Sequence, residues 1–360
     1  MYPKSVQKEG GKTQFVMKAT IQDVAKAAGV SKATVSRALN RNGYVNEETL
    51  KRINHAIKEL NYAPSQVAIN LSKSESNIIG FLVPDICNGF FSEVFYGASK
   101  VAEENGKHLM LINTDDSLQI EEEALKALLS QQICGLLMTP VSERNENNAQ
   151  LLKKASKNRI PIVFLDRELD GFICDGVFVD NIIATKAATS LLLKNGHNDI
   201  AIVAGPLDTI PGRERMIGFQ EAHREKGIEV RPDRVLMGNF KDTDSYHLVR
   251  ILLSKEDRPT AIFTCNNMMT IGAVRAIVDL GLRIPEDIAI VGFDEVELLN
   301  SLGMQITMIK RATFEMGKVG MNMMLHRLKE RVSFEESTVQ RITLQSKLII
   351  RGSERYCRHY

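Results

Sequence analysis

Between Thr20 and Asn40 apolar positions recur at helical spacing in two short runs. Ile21, Val24, Ala25 and Ala28 share one face, and Val35, Ala38 and Leu39 share another. Thr20 followed by Asp23 predicts an N-cap, Gly29 ends the first helix, and Ser31 is placed to cap the second. Two short helices joined by a turn containing Gly are the layout of a helix-turn-helix, whose second helix enters the major groove. After the loop RNGYV, Asn46 can cap a third helix, EETLKRINHAIKEL, in which Leu50, Ile53, Ile57 and Leu60 are expected to close a small core. The next stretch, NYAPSQVAINLSKSESN, lacks that periodicity. It reads as a linker, or as a segment that is helical only when two copies pack on DNA, with Leu71 pushed between base pairs from the minor groove.

From Ile78 the pattern changes to apolar strands alternating with amphipathic helices: IIGFLVP, a helix over 91–104, HLMLINT, a helix over 118–129, ICGLLMT and IPIVFLD. After VFVDN the alternation restarts with a helix over 183–194, DIAIVAG, a helix over 213–226, RVLMGNF, a helix over 245–253, TAIFTCN, a helix over 269–280 and IAIVGFD. Continuous apolar runs suit strands covered on both faces, so the class is α/β with parallel sheets, and two such runs read as two lobes. A late strand near 306–309, a helix over 314–329 and the tail QRITLQSKLIIRG offer the chain a way back to the first lobe.

Charge changes how the first 74 residues are read. They hold 12 Lys or Arg against 5 Asp or Glu, whereas the remaining 286 hold 34 against 39, so a basic head precedes a mildly acidic body. That asymmetry fits one module meeting a polyanion. A chain of 360 residues has room for two or three domains. No run approaches a membrane span and the first 19 residues have no signal-peptide core, which predicts a cytoplasmic protein. Five cysteines and seven histidines lack metal or redox spacing, so neither metal nor cofactor is expected.

Ligands of open α/β sheets lie beyond the C-terminal strand ends. There the chain places Asp85, Asn113, Asp166 with Arg167, Asn266 with Asn267, and Asp294, while Arg213 and Arg215 open a helix. Carboxylates, amides and guanidinium groups with Phe91 or Phe240 as flat apolar surface fit a polyhydroxylated small molecule, although each residue alone also reads as a turn or a cap. The phosphate-binding glycine fingerprints, the GxSxG elbow and HExxH are all absent, which argues against an enzyme.

Over residues 19–352 the chain closely resembles the LacI/GalR family of bacterial transcription regulators. The resemblance is carried by TIQDVAKAAGVSKATVSRALN, the YxP at 62–64, VDN at 179–181, GP at 205–206, RxxGF at 215–219, and IAIVGFD with its lead-in GLRIPEDI. It implies an α/β, two-lobed core like periplasmic sugar-binding proteins behind an N-terminal helix-turn-helix domain, acting as a homodimer on palindromic operator DNA. Carried over by position, Lys32, Ala33 and Arg37 read bases, Thr34, Ser36 and Asn40 support the backbone contacts, and Leu71 is the minor-groove wedge. In the cleft, Phe91, Asp166, Arg215, Phe240, Asn266 and Asp294 match effector-contacting positions, with Asp85 and Arg167 added from their strand ends and Arg311 as a departure from the family pattern. Ile69 stands where an Arg or Gln is usual, Asn267 replaces an Asp, and Arg311-Ala312 replaces Gln-Pro.

An extra guanidinium at Arg311, expected near the cleft rim beside Arg167 and Arg215, points to an anionic effector such as a sugar acid or sugar phosphate. A surface carboxylate is the competing partner for Arg311. The domains expected are a disordered lead-in (1–18), a DNA-binding head (19–63), a hinge and linker (64–76), an effector-binding and dimerisation core (77–352) and a tail (353–360). The function expected is a sequence-specific regulator, a repressor, controlled by a small carbohydrate-like effector. The alternatives are control by a protein partner and, from another class, a sugar-modifying enzyme or sugar-binding protein.

Overall fold

The computed structural model describes residues 19–40, 44–62, 76–330 and 338–355. The chain divides after Glu75 into two compact units. The lead-in 1–18, the hinge stretch 63–75 with Ile69 and Leu71, the Asn40 side chain and residues 356–360 lie outside the described residues.

In the first unit, helix α1 (Ile21–Ala28) starts with a reciprocal cap: Asp23 N donates to Thr20 Oγ1 at 3.4 Å and Thr20 N donates to Asp23 Oδ2 at 2.8 Å. Gly29 closes it in the left-handed region, with φ of 62°, a conformation that favours glycine. Helix α2 (Lys32–Asn40) opens with Thr34 N donating to Ser31 Oγ at 3.2 Å, and α3 (Glu47–Glu59) is capped by Asn46, whose Oδ1 accepts from Thr49 N at 2.8 Å. Their shared core is Val24, Ala25, Ala28, Val35, Ile53 and Ala56. Two expected members fall outside it, since Leu50 and Leu60 are 38% and 36% exposed. The cause is length: α3, about 20 Å long, outreaches α1, about 12 Å, so only its middle turns are covered.

The second unit holds two six-stranded sheets. The first runs β11-β5-β4-β3-β1-β2, from β1 (Ile78–Val83), β2 (His108–Asn113), β3 (Gly135–Met138), β4 (Ile162–Leu165), β5 (Asp175–Val179) and β11 (Arg341–Leu344). The second runs β12-β10-β9-β8-β6-β7, from β6 (Ile200–Ala204), β7 (Val235–Met237), β8 (Ala261–Thr264), β9 (Ala289–Phe293), β10 (Thr307–Lys310) and β12 (Lys347–Ile349). Every pairing is parallel except β10 with β12. Helices α4 (Gly89–Glu104), α5 (Leu118–Ser130), α6 (Glu146–Lys157), α7 (Asn181–Lys194), α8 (Ile210–Glu225), α9 (Asp242–Leu253), α10 (Asn267–Asp279), α11 (Glu297–Ser301) and α12 (Thr313–Glu330) complete the unit. None of the described helices is long and apolar enough to cross a membrane.

The chain passes between lobes three times, after Val179, after Lys310 and between Leu344 and Lys347. The second crossing brings α12 back onto the first lobe against α4, where the backbones touch: a Cβ at Gly97 would lie 2.0 Å from Phe314 O, and one at Gly317 1.9 Å from Val94 O. Helix starts come up to three residues earlier than the apolar pattern alone suggests. In α8, Pro211 suits the first turn and Thr209 Oγ1 accepts from Gly212 N at 3.2 Å, which draws the helix back from Arg213 to Ile210. Helix α6 was not expected. Asn145 caps it and Ala149, Leu152 and Ala155 bury one face, too few apolar residues to stand out in a polar segment.

Candidate functional site

The head presents its chemistry on α2. Burial of Val35 turns Lys32, Ala33 and Arg37 to solvent, while Thr34 and Ser36 are half-buried. Thr34 is committed to the helix start, its Oγ1 2.9 Å from Ser31 Oγ, and Arg37 Nε reaches back to Ala33 O at 3.4 Å. A helix fixed at its N-terminus with two exposed cations has the shape and charge of a major-groove reader.

In the body, the strand ends of both lobes face one cleft of about 400 Å³ including its open mouth. All nine expected residues line it: Asp85, Phe91, Asp166, Arg167, Arg215, Phe240, Asn266, Asp294 and Arg311. Asn113 does not; its Oδ1 accepts from Ile86 N at 2.9 Å and shapes the neighbouring loop. The sequence reading missed Asn88, Phe90, Asp116 and Pro211, which also line the cleft. Phe90 beside Phe91 and Asp116 just past a strand were available signals, but no strand-end rule separates Asp116 from its neighbour Asp115.

Two matching turns deliver the central carboxylates. Asp166 follows β4 and Asp294 follows β9, each in the left-handed region with φ of 64° and 67°. Each backbone N–H is tied to the adjoining strand, Asp166 N to Val177 O at 2.9 Å and Asp294 N to Ile309 O at 2.8 Å. A non-glycine residue held there carries strain that its surroundings must offset. Helix starts supply the amides. Asn88 Oδ1 accepts from Phe90 N at 3.0 Å and Asn266 Oδ1 from Met269 N at 2.7 Å, so both cap helices that begin at the cleft. Asn267 Nδ2 donates to Asn88 Oδ1 across the lobes at 2.9 Å.

Arg311 departs from expectation. It is not at the rim but buried behind the cleft, where Nη1 donates to Asp166 Oδ1 at 2.7 Å and Nη2 to Asp294 Oδ2 at 2.6 Å, with Nε on Asp294 Oδ1. Its guanidinium stacks 3.6 Å from the Phe90 ring centroid. The reason is position: the residue follows β10 where the chain leaves the second lobe, within reach of a carboxylate from each. Burial opposes its charge, but Asp294 and Asp166 outweigh that and raise its pKa. Arg311 therefore adds no free positive charge to the mouth.

The other two arginines hold neutral partners. Arg215 donates through Nε to Asn181 Oδ1 at 2.9 Å and through Nη1 to Cys265 O, and lies 3.7 Å from the Phe293 ring centroid. Burial first, then repulsion from Arg311, brings its pKa down to about 10. Arg167 donates through Nη1 to Pro140 O at 3.3 Å and Val141 O at 3.1 Å, between the Phe91 and Phe240 rings at 6.0 and 5.4 Å. Burial also lowers its pKa. Lys241 of the second lobe spans to Asp116 at 2.6 Å and Asp85 at 3.8 Å, and Arg213 to Glu143 at 2.7 Å. Among the described residues no group of three His, Cys, Asp or Glu is placed to hold a metal.

The head matches the family model for bacterial regulatory proteins of the lacI family over residues 20–65. The body matches the model for periplasmic binding proteins and the sugar binding domain of the LacI family over 76–349. The HTH-type transcriptional repressor PurR of Aliivibrio fischeri (strain MJ11) is 36% identical over 315 residues, 87% of this chain and 93% of the relative. The ribose operon repressor of Escherichia coli (strain K12) is 32% identical over 336 residues, 93% and 99% of the two chains. Among solved structures, the Lac repressor dimer bound to operator and the anti-inducer ONPF aligns with a TM-score of 0.79 at 25% identity, covering 94% of this chain and all of that one. A LacI family regulator from Enterococcus faecium with bound ribose aligns with a TM-score of 0.68 at 25% identity, over 78% of this chain and all of the other. A helix with exposed Lys32 and Arg37 on a small basic head and a two-lobed cleft thus meet in one chain, which belongs to the LacI family of bacterial regulatory proteins and is a DNA-binding transcriptional regulator, not an enzyme.

Proposed function

We propose that this regulator is a cytoplasmic homodimeric repressor of a palindromic operator, released or tightened by a small carbohydrate-like effector in the cleft. The observation that carries the effector half is the convergence of polar side chains from both lobes, with the Phe91 and Phe240 rings, on one cleft. A ligand that touches both lobes binds one lobe angle better than another and so shifts the equilibrium between them. The ribose operon repressor and the ribose-bound Enterococcus faecium regulator make a pentose-sized molecule the natural first choice.

For the DNA half, Lys32 and Arg37 pair with guanine edges and Ala33 meets a thymine methyl, with Thr34, Ser36, Asn40 and Leu71 in supporting contacts. The test is fluorescence anisotropy on a palindromic duplex selected from a random library. Arg37→Ala is expected to cost about 1–3 kcal/mol of binding and to relax preference at one base pair per half-site. Any ligand that raises the melting temperature should change the operator Kd by the factor by which operator changes the ligand's Kd. Operator affinity indifferent to every stabilising ligand would transfer control to a protein partner.

A further inference from the structure

Arg311 sets the balance of donors and acceptors at the centre of the cleft. Its three donations occupy both oxygens of Asp294 and Oδ1 of Asp166, carboxylates that face the cleft from the two lobes. The amide oxygens are taken as well: Asn266 Oδ1 caps α10, and Asn88 Oδ1 accepts from both Phe90 N and Asn267 Nδ2. On the donor side, among the described residues, Arg215 Nη2 and Arg167 Nε are buried with no hydrogen-bond partner. Arg215, 2% exposed, hydrogen-bonds only neutral oxygens through its other nitrogens. Its guanidinium and that of Arg311 flank the same ring, 3.7 and 5.6 Å from the Phe293 centroid.

A neutral polyol brings one donor with each hydroxyl acceptor, and at the Asp166–Asp294 centre Arg311 already holds three of the four carboxylate oxygens, leaving Asp166 Oδ2 there and Asp85 and Asp116 elsewhere in the lining. A carboxylate brings acceptors alone. We infer that the effector is a small polyhydroxylated carboxylic acid whose carboxylate seats on Arg215 Nη2 while an uncharged oxygen takes Arg167 Nε, and that Arg311 selects for it by withdrawing Asp166 and Asp294 from ligand binding. An anion beside Arg215 also offsets the burial and the repulsion from Arg311 that lower its proton affinity. A phosphate is less suited than a carboxylate, because it would bring a second negative charge among Asp85, Asp116, Asp166 and Asp294, all of which line the cleft.

This inference rests on the small-molecule reading of the cleft and refines it. The test is calorimetric titration of the full-length protein with D-ribose against D-ribonate, D-glucose against D-gluconate and D-glucuronate, and ribose 5-phosphate. At least one sugar acid should bind about tenfold or more tightly than its neutral parent, and more tightly than the phosphate. Arg311→Gln should narrow that ratio about tenfold by strengthening the neutral sugar, because Asp166 and Asp294 regain free acceptors; a residue that only braces the fold would weaken both ligands alike. If Arg311→Gln does not fold, Arg311→Lys, which keeps the charge but loses the bidentate grip, should narrow the ratio in the same direction. A neutral sugar or the phosphate binding best to the unaltered protein overturns the acid preference and leaves the effector reading intact. No binding by any member of the panel, with operator binding unimpaired, overturns both.

Discussion

Head and body place their chemistry on opposite sides of their cores. In the head, Lys32, Ala33 and Arg37 are turned outward by a core of six buried side chains, and none of the three belongs to it. In the body, Asp166, Arg215, Asp294 and Arg311 are themselves buried, and Arg311 with the two carboxylates is part of what holds the lobes together. Readers of a rigid external partner can be exchanged at little cost to folding. Groups that must enclose a ligand cannot, because removing one strands its partner away from water.

The sharpest way to test that difference is Asp294→Asn. Asparagine tolerates the left-handed backbone here, so strain is excluded and the change removes charge from a buried pair. A buried charge left without a partner costs about 3–5 kcal/mol; Arg311 keeps Asp166, so the body should lose part of that, about 2–3 kcal/mol, in urea unfolding. A loss below about 1 kcal/mol, the range of an exposed pair, would place the cleft electrostatics on the same footing as the surface of the head.

Ile53→Ala attacks the other side of the comparison. A cavity at this fully buried position costs about 2–5 kcal/mol, and a core of six residues has little reserve. Operator binding should be lost although Lys32 and Arg37 are untouched, while the main unfolding transition of the body stays where it was. Calorimetry with a parallel DNA titration checks this; a joint shift of both transitions would show that the units do not fold independently.

The contrast also explains what was legible in the sequence. The head's faces repeat every three or four residues inside one short stretch, so its helices, caps and exposed positions follow from local spacing; only the ends of α3 escaped, because coverage of Leu50 and Leu60 depends on the length of a neighbouring helix. Strand ends in the body likewise marked Asp85, Asp166, Arg167, Asn266 and Asp294, while Arg215 opens a helix and Phe91, Phe240 and Arg311 rested on the family resemblance. What spacing did not carry was pairing. Arg311 meets Asp166 across 145 positions of chain, a relation set by the way the chain crosses between the lobes. Its charge was visible in the sequence, but its neutralisation was not.

Glu121 gives a pH handle on the body alone. Its Oε2 accepts from Val141 N and its Oε1 from Asn148 Nδ2, both at 2.6 Å, beneath the loop whose carbonyls hold Arg167. Burial, only partly offset by those bonds and by Arg167, pushes its pKa from 4.5 up to about 7. The folded state therefore holds this proton more tightly than the unfolded chain, so the contribution is full below pH 4.5 and is lost as pH rises to about 7. Glu121→Gln should remove that slope, making the variant more stable than the parent at pH 8 by up to roughly 3 kcal/mol, less whatever the altered hydrogen bond to Val141 N costs. Glu143 and Glu214, also raised by burial, act in the same direction and would leave a residual slope.

The smallest effect is the one that separates the two units most cleanly. Thr20→Ala removes the side chain that accepts from Asp23 N, a loss of about 1 kcal/mol at a helix start. In a unit with so small a core, that is a large fraction of the total stability, and the folded population of the head should fall measurably. Operator affinity then drops by the folded fraction alone, with base preference unchanged, because Lys32, Ala33 and Arg37 keep their geometry whenever the head is folded. Cap loss at Asn266 should do the reverse. The body stays folded, yet the same buried side chain lines the cleft and donates to Phe240 O at 3.1 Å, so Asn266→Ala should lower the melting temperature by the lost cap and hydrogen bond and weaken ligand binding in protein that is still folded. Equal effects of the two variants on operator and ligand affinity would erase the distinction between an outward-facing reader and a buried clasp.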